Sequence, residues 1–159
     1  MRRLASAVLF VLLAVGASLV VAQAPVPRPM PPPAFVSVSG SPIPVGKNGV
    51  SELVFVARWC RSCEGDLAQL RRRLGVLQRT GYHVVVIGVP ERQDQASFVE
   101  WAGSLGVRRQ LVFDGDAVLA KAYGVSVLPW HVVVDSRGRI VYSSSSSPTL
   151  EALRAWLKP

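Results

Sequence analysis

The chain contains two cysteines, and their place between two apolar patterns constrains the fold more than any other feature. Residues 52–57 (ELVFVA) form an apolar run of the kind found in buried β-strands. Cys60 and Cys63 follow at once, and after them leucines recur at helical spacing, at positions 67, 70, 74 and 77. A strand that leads directly into a helix begins a βαβ unit, so the sequence predicts an α/β domain with the cysteines at the strand–helix junction.

The rest of the chain continues this alternation of strands and helices. Residues 83–89 (HVVVIGV) predict a second buried strand, and residues 94–105 predict a helix with Asp94 as its N-cap. The remaining predicted elements are strands at 35–38, 111–113, 131–134 and 139–142, and helices at 116–123 and 149–157. The last two strands are joined by Asp135-Ser136-Arg137-Gly138, a hairpin turn. This order predicts a mixed sheet covered by helices.

The first 24 residues are predicted to be a signal peptide or a membrane anchor. Arg2 and Arg3 precede an uncharged apolar run over residues 4–22. That run is long enough to cross a bilayer, which takes about 20 residues. Small residues at its end, Ala22 and Ala24, also offer cleavage sites, so cleavage and retention as an anchor both stay open. In either case the arginines are expected on the cytoplasmic side and the rest of the chain outside.

Residues 25–34 (PVPRPMPPPA) form a proline-rich segment between the N-terminal part and a domain predicted at residues 35–159. Six prolines in ten residues favour the polyproline II conformation, which rises about 3.1 Å per residue. We therefore predict a semi-rigid stalk of roughly 30 Å. The residues after it are enough for one domain with a single core.

The formal net charge of the chain is +8, but the charge pattern does not indicate nucleic-acid binding. The basic residues are dispersed apart from one run at residues 71–73, and no aromatic residues alternate with a basic stripe. The run at 71–73 falls on the predicted helix, where it forms either a solvated face or a docking patch. We expect no nucleic-acid partner.

The pair Cys60-x-x-Cys63 predicts thiol–disulfide chemistry. With no third cysteine, the pair cannot join a larger disulfide framework, and a tetrahedral zinc site would lack most of its ligands. Cys60 lies at the start of the predicted helix, where unpaired N–H groups and the helix dipole favour a thiolate and make it the attacking group. Cys63 follows one helical turn later and is expected to resolve the mixed disulfide, while Trp59 covers the pair.

The resolving step needs a proton acceptor for Cys63, and Asp66 is the candidate. It follows Cys63 by three residues and therefore lies on the same helix face. A partly buried carboxylate at this position could accept the thiol proton and return it. Alternatively, Asp66 is an ordinary acid of the first helical turns, or it pairs with Arg58 or Arg73.

Leu128-Pro129 is the candidate substrate-binding segment, because it precedes the predicted strand at 131–134 at a point where the chain can reverse its direction. The backbone groups of Leu128 could pair with an extended substrate peptide in a short β-augmentation. From the sequence alone, an ordinary trans bond before Pro129 is expected.

Taken together, these motifs resemble the thioredoxin superfamily, and within it the extracytoplasmic TlpA/ResA-like proteins linked to cytochrome c maturation. The resemblance covers residues 35–157 and rests on a set of motifs in order. These are Val45-Gly46-Lys47, Trp59-Cys60-x-x-Cys63, Phe113-Asp114-Gly115-Asp116, residues 122–126 (AYGVS), Leu128-Pro129 and residues 134–140 (VDSRGRI). The resemblance implies a thioredoxin-like mixed β-sheet flanked by helices, preceded by the N-terminal apolar segment.

The resemblance also implies roles for single residues. It makes Pro129 a cis-proline that packs against the disulfide, and it puts Asp66 where the family usually carries a glutamate, one carbon longer. Val54 stands where thioredoxin itself has an aspartate, which separates this chain from the cytosolic subtype. Trp130 stands where threonine is common, and it either reshapes the substrate groove or packs on the sheet.

The predicted function is reduction of protein disulfides outside the cytoplasm, in the periplasm or at the cell exterior. The expected partners are extracytoplasmic protein thiols and disulfides, including those of cytochrome c maturation. A membrane electron donor is also expected, because an oxidising compartment does not keep a dithiol reduced. The alternatives are an oxidant or isomerase of the same fold, and a non-catalytic metal- or peptide-binding chaperone. His83 and His131 suggest the metal alternative, but both are interpreted as strand residues, and neither metal nor cofactor is predicted.

Overall fold

A computed structural model describes residues 28–29, 31, 34–77, 80–108 and 110–158. The strands within these ranges are β1 (Arg28–Pro29), β2 (Phe35–Val36), β3 (Pro42–Ile43), β4 (Val50–Val56), β5 (Tyr82–Gly88), β6 (Leu111–Phe113), β7 (Trp130–Val134) and β8 (Arg139–Ser144). The helices are α1 (Arg61–Leu77), α2 (Gln95–Ser104), α3 (Val118–Ala122) and α4 (Leu150–Trp156). The predicted alternation of strands and helices is confirmed.

The main sheet has the strand order β1-β8-β7-β4-β5-β6. Strands β4, β5 and β6 are parallel to one another, whereas β7 is antiparallel to β4. On the far side of β7, β8 pairs antiparallel with β7, and β1 pairs antiparallel with β8. The predicted mixed sheet is therefore confirmed. All seven residues of β4 are buried, as expected for a strand in the middle of a sheet that is covered on both faces. Strands β2 and β3 form a separate small hairpin.

Helix α1 packs through the leucines that its sequence pattern singles out. Leu67, Leu70 and Leu77 are buried, and Leu74 is half-buried against the same core. The basic run at residues 71–73 is not one uniform solvated face. Arg71 and Arg72 are exposed, but Arg73 turns inward with 12% of its side chain accessible, because helical periodicity brings it toward the sheet.

Local signals set the ends of two other elements. Helix α2 begins after Asp94, whose carboxylate accepts a hydrogen bond from the backbone of Ser97, so the predicted N-cap is confirmed. In the β7–β8 turn, the Asp135 carboxylate accepts from the backbone N–H groups of Arg137 and Arg139 and from the Arg139 guanidinium. These bonds close the predicted hairpin.

The sheet begins earlier in the chain than the predicted domain. Arg28 pairs with Ile140 and Pro29 with Arg139, so two residues of the predicted stalk form an edge strand. The predicted signal or anchor at residues 1–24 lies outside the described residues. Among the described residues, no helix combines the length and the apolar character needed to cross a membrane.

Candidate active site

Cys60 and Cys63 lie where β4 passes into α1, and a disulfide joins them with their Cα atoms 5.3 Å apart. A tight turn brings them together: the Cys60 N–H donates to the Ala57 carbonyl (3.0 Å), and the Cys63 N–H donates to the Cys60 carbonyl (3.1 Å). Cys60 is 6% exposed, whereas Cys63 is completely buried. An incoming sulfur can therefore reach only Cys60, which fits the predicted division into an attacking and a resolving cysteine.

Trp59 forms the rim beside the cysteine pair. It is 43% exposed, but its position is fixed by a hydrogen bond from Nε1 to the Glu91 carbonyl (2.6 Å). The Arg92 guanidinium lies 5.8 Å from the centre of the ring, within the range of a cation–π contact. An exposed aromatic ring held in place in this way offers a rigid apolar surface to a bound peptide.

The Leu128–Pro129 peptide bond is cis, as the resemblance implies. Leu128 and Trp59, two of the predicted substrate-binding residues, line one cavity of about 270 Å³. Most of the lining is apolar, and its charged members are Glu91 and Lys121. The cavity therefore suits a small apolar group.

Trp130 does not line this cavity. It is paired with Phe55 across β7 and β4, and its ring is half-buried against the core. Its Nε1 donates to the Ser143 hydroxyl on β8 (3.2 Å). These contacts match the packing alternative for Trp130, and its role in the substrate groove stays a prediction.

Asp66 lies on α1 one turn after Cys63, and 11% of its side chain is exposed. Its Oδ2 is 3.2 Å from Nε2 of His131, which is within ion-pair range although the two atoms are not aligned for a hydrogen bond. Arg73, one of the two predicted partners, bonds to Glu52 instead. The observed partner of Asp66 is thus a histidine from β7.

Glu52 lies on the other side of the His131 ring and is completely buried. Its Oε1 is 2.8 Å from His131 Nδ1 and accepts a hydrogen bond from Arg73 Nη2 at 3.1 Å. Its Oε2 accepts a hydrogen bond from the Tyr82 hydroxyl. Arg73 in turn donates from Nη1 to the Pro148 carbonyl (2.7 Å). The buried carboxylate is therefore held by three side chains from three different elements.

The strand register explains why these side chains meet. Val54 is paired with His131, and Val50 is paired with Tyr82. Glu52 is two residues from each of these valines, so it shares their face of the sheet with His131 and Tyr82. Helix α1 contributes Asp66 and Arg73, which are seven residues, or about two helical turns, apart.

The contacts determine the charge of these groups. Burial alone would lower the pKa of His131, but the carboxylates Asp66 and Glu52 beside its two ring nitrogens outweigh burial and raise that pKa above the usual value. The pKa of Tyr82 is raised well above its ordinary value, first by burial and then by the neighbouring Glu52 carboxylate. Tyr82 is therefore a neutral hydrogen-bond donor at every physiological pH.

Glu52 and His131 were not predicted as site residues. Glu52 does carry a signal in the sequence, since a carboxylate inside a buried strand must find partners. His131 gives no such signal, because histidine is common in strands without a special role. His83 is the other histidine considered for a metal site, and its Nε2 atom lies 3.0 Å from the Asn48 carbonyl oxygen. No group of three or more potential ligands arranged to hold a metal occurs among the residues that the structure describes.

The chain is similar to known thiol–disulfide oxidoreductases and thioredoxin-like proteins. The thiol-disulfide oxidoreductase ResA of Geobacillus thermodenitrificans is 24% identical over 106 residues, which are 67% of this chain and 60% of ResA. The chain thus matches about 60% of the length of this curated relative.

Two solved structures illustrate the shared fold. StoA from Bacillus subtilis superposes with a TM-score of 0.67 at 21% identity, and the match covers 82% of this chain and 100% of StoA. The exposed lipoprotein thioredoxin of Streptococcus pneumoniae superposes with a TM-score of 0.61 at 25% identity, covering 79% of this chain and 96% of that protein. The predicted thioredoxin-like fold is confirmed. The AhpC/TSA family profile matches residues 38–143, two thirds of the sequence, and the chain belongs to this family of the thioredoxin superfamily.

Proposed function

We propose that this protein is a thiol–disulfide oxidoreductase that reduces protein disulfides outside the cytoplasm. The observation that carries the proposal is the disulfide between Cys60, which is slightly exposed, and Cys63, which is buried at the start of α1. A dithiol in this arrangement can attack a substrate with one sulfur while the other stays protected until the mixed disulfide has formed.

The reaction begins with the reduced protein. The Cys60 thiolate attacks one sulfur of a substrate disulfide and forms a mixed disulfide, and the other substrate sulfur leaves as a thiolate that takes up a proton from water. The Cys63 thiol then gives its proton to Asp66, and the resulting thiolate attacks the Cys60 sulfur. This second attack forms the Cys60–Cys63 disulfide and releases the second substrate sulfur as a thiolate, which takes up a proton from water, so two electrons pass to the substrate.

The substrate is proposed to be an extended segment of a protein. Leu128 offers backbone groups for a short β-augmentation, and the adjacent apolar cavity accepts one side chain. Trp59 and Leu128 belong to this surface, and Pro129 adjoins it. Trp130 contributes by supporting the neighbouring strand.

The location and the partners are proposed on separate grounds. Arg2, Arg3 and the apolar run at residues 4–22 support export, and one of the similar structures is an exposed lipoprotein. The link to cytochrome c maturation and to a membrane electron donor rests on the resemblance of the motifs to the TlpA/ResA-like proteins. An electron donor is needed because each turnover leaves the protein oxidised.

The variant Cys63→Ser tests the proposal by trapping. Without the resolving cysteine, the mixed disulfide at Cys60 persists, and non-reducing gels of native membranes and exported proteins should show adducts that a reductant removes. The matched control Cys60→Ser should give none of these adducts. Absence of any adduct specific to Cys63→Ser would contradict the proposal.

The reduction potential of the Cys60–Cys63 couple tests the direction of transfer. A potential near that of thioredoxin, about −270 mV, is expected for a reductase. A potential near that of strong oxidants, about −120 mV, would assign the protein to disulfide formation instead.

A further inference from the structure

The proposed exchange reaction uses Asp66 but leaves the groups behind it without a role. We call Asp66, His131 and Glu52 the carboxylate–imidazole chain, since the His131 ring lies between the two carboxylates. The carboxylate–imidazole chain begins at Asp66, one helical turn after the resolving cysteine, and ends at the completely buried Glu52.

Glu52 does not need His131 in order to be satisfied. Its carboxylate already accepts hydrogen bonds from the Arg73 guanidinium and the Tyr82 hydroxyl. Asp66, in contrast, has no hydrogen-bond partner for its buried Oδ2 among the described residues, and Nε2 of His131 lies 3.2 Å from that atom. The imidazole is thus anchored on one side and faces the proton acceptor on the other.

The charges of the surrounding groups favour a cationic ring. Glu52 from β4 and Asp66 from α1 face the His131 ring, and Arg73 from α1 and Tyr82 from β5 contact Glu52 behind it. Two carboxylates and one guanidinium leave a net charge of −1, which a protonated imidazole would neutralise. A protonated ring 3.2 Å from Asp66 attracts its carboxylate and fixes the position of the group that accepts the proton.

We propose that His131 is a positioning residue of the exchange reaction: its ring, anchored by Glu52, holds the Asp66 carboxylate in place as an ionised proton acceptor. This inference rests on the proposed function. Asp66 has a shorter side chain than glutamate, so a fixed partner limits the orientations from which it has to reach the thiol. When Cys63 resolves the mixed disulfide, its proton passes to Asp66. During reduction of the Cys60–Cys63 disulfide, Asp66 returns that proton to the Cys63 thiolate.

A merely structural role for His131 makes different predictions. A cross-strand contact between β4 and β7 would affect the free energy of unfolding, but it would leave the pH dependence of the exchange reaction unchanged. It would also act independently of Asp66. The pH profile and the dependence on Asp66 therefore separate the two roles.

The experiment measures how fast the mixed disulfide resolves. The reduced full-length chain reacts with a peptide disulfide between pH 5 and 8, and acid quenching gives the decay of the mixed disulfide. His131→Leu is expected to slow the decay by about tenfold near pH 6 and to move the acid limb of the profile to higher pH. The matched control Val132→Ala removes buried side chain from the other face of β7 and should leave the shape of the profile unchanged.

The Asp66→Asn background provides the decisive comparison. If His131 acts through Asp66, His131→Leu should change the decay rate less than about twofold once Asp66 has been replaced. An equal loss in both backgrounds, or a His131→Leu profile identical to that of the wild type, would overturn the proposal. A wild-type chain that forms and resolves no mixed disulfide would instead refute the proposed function.

A spectroscopic measurement keeps the proposal testable if His131→Leu does not fold. The ring proton signal of His131 is followed by NMR against pH in the oxidised wild type and in Asp66→Asn. The titration midpoint should be lower in Asp66→Asn, because the ring has lost one of the two carboxylates that favour its charged form. Equal midpoints would show that His131 and Asp66 are not coupled and would overturn the proposal.

Discussion

The substitution Glu52→Leu measures how much the buried carboxylate stabilises the folded protein. Leucine has a similar size and is apolar, so it occupies the site without admitting water. It leaves the Tyr82 hydroxyl and the Nδ1 atom of His131 without their partner in a completely buried place. Arg73 is affected less, because it is partly exposed and keeps its bond to the Pro148 carbonyl.

The magnitude follows from the two groups that lose their partner. Each buried polar group left unpaired costs about 1–3 kcal/mol, so two such groups cost about 4 kcal/mol together. The apolar leucine side chain offsets about 2 kcal/mol of this cost through its own burial. The expected decrease in the free energy of unfolding is therefore about 2 kcal/mol, a substantial part of the 5–15 kcal/mol that stabilise a typical domain.

Urea unfolding of the oxidised full-length chain at pH 6, followed by tryptophan fluorescence, measures this decrease. Glu64→Leu is the matched control, because the same substitution at an exposed position of α1 should change stability by about 0.5 kcal/mol or less. The double variant Glu52→Leu/His131→Leu should recover about 1 kcal/mol relative to additivity, since the unpaired ring is gone. A decrease for Glu52→Leu no larger than for Glu64→Leu, or strictly additive effects, would refute the reasoning.

Three further predictions concern stability. The pKa of His131 is raised in the folded state, so the contribution of its charged ring to stability is complete below the unfolded pKa of about 6.5 and is lost as the pH rises through the folded pKa. In urea unfolding, the stability advantage of the wild type over His131→Leu should therefore shrink between pH 6 and pH 9. A constant advantage would contradict this. Asp135→Ala removes four hydrogen bonds of the β7–β8 turn and should cost about 2 kcal/mol in urea unfolding, whereas a neutral effect would show that the turn does not depend on them. Gly88→Ala would place a Cβ atom 2.6 Å from the Phe98 ring and should lower stability by about 1–3 kcal/mol in thermal unfolding. The control Gly103→Ala has room for its methyl group and should not lower stability. Equal effects of the two substitutions would contradict the crowding at Gly88.

The sequence predicts those parts of the fold that depend on local patterns. The leucine spacing after Cys63 gives helix α1, because the spacing of one buried face is set by helix geometry alone. Asp94 predicts the start of α2 for a similar reason, since an N-cap involves only residues of its own first turn. The position of the cysteine pair between strand and helix follows from the same local signals.

The environment of Asp66 depends on contacts that no local pattern contains. His131 and Glu52 are 79 residues apart in the sequence and meet only because β4 and β7 pair in one particular register. A shift of one residue would turn either side chain to the other face of the sheet. Arg73 was grouped with Arg71 and Arg72 because their charges are alike, but its place on the helix points it to a buried carboxylate.

Strand β1 was also beyond local prediction. Prolines favour an extended segment without a hydrogen-bonded partner, and nothing in residues 25–34 indicates that Arg28 and Pro29 pair with β8. The pairing is possible because the segment lies at the edge of the sheet, where a proline that cannot donate a hydrogen bond is tolerated.

The arrangement of β1 limits how the protein can associate with other chains. An open edge strand invites pairing with any extended chain and is a common start of aggregation. Here one edge of the main sheet is formed by a two-residue strand that includes Pro29, which has no N–H to offer. At the opposite edge, the Leu111 carbonyl of β6 already accepts from the Val38 N–H (2.8 Å). Within the described residues, β1 and the Val38 contact therefore occupy part of each edge of the main sheet and leave less of it open to pairing with another chain.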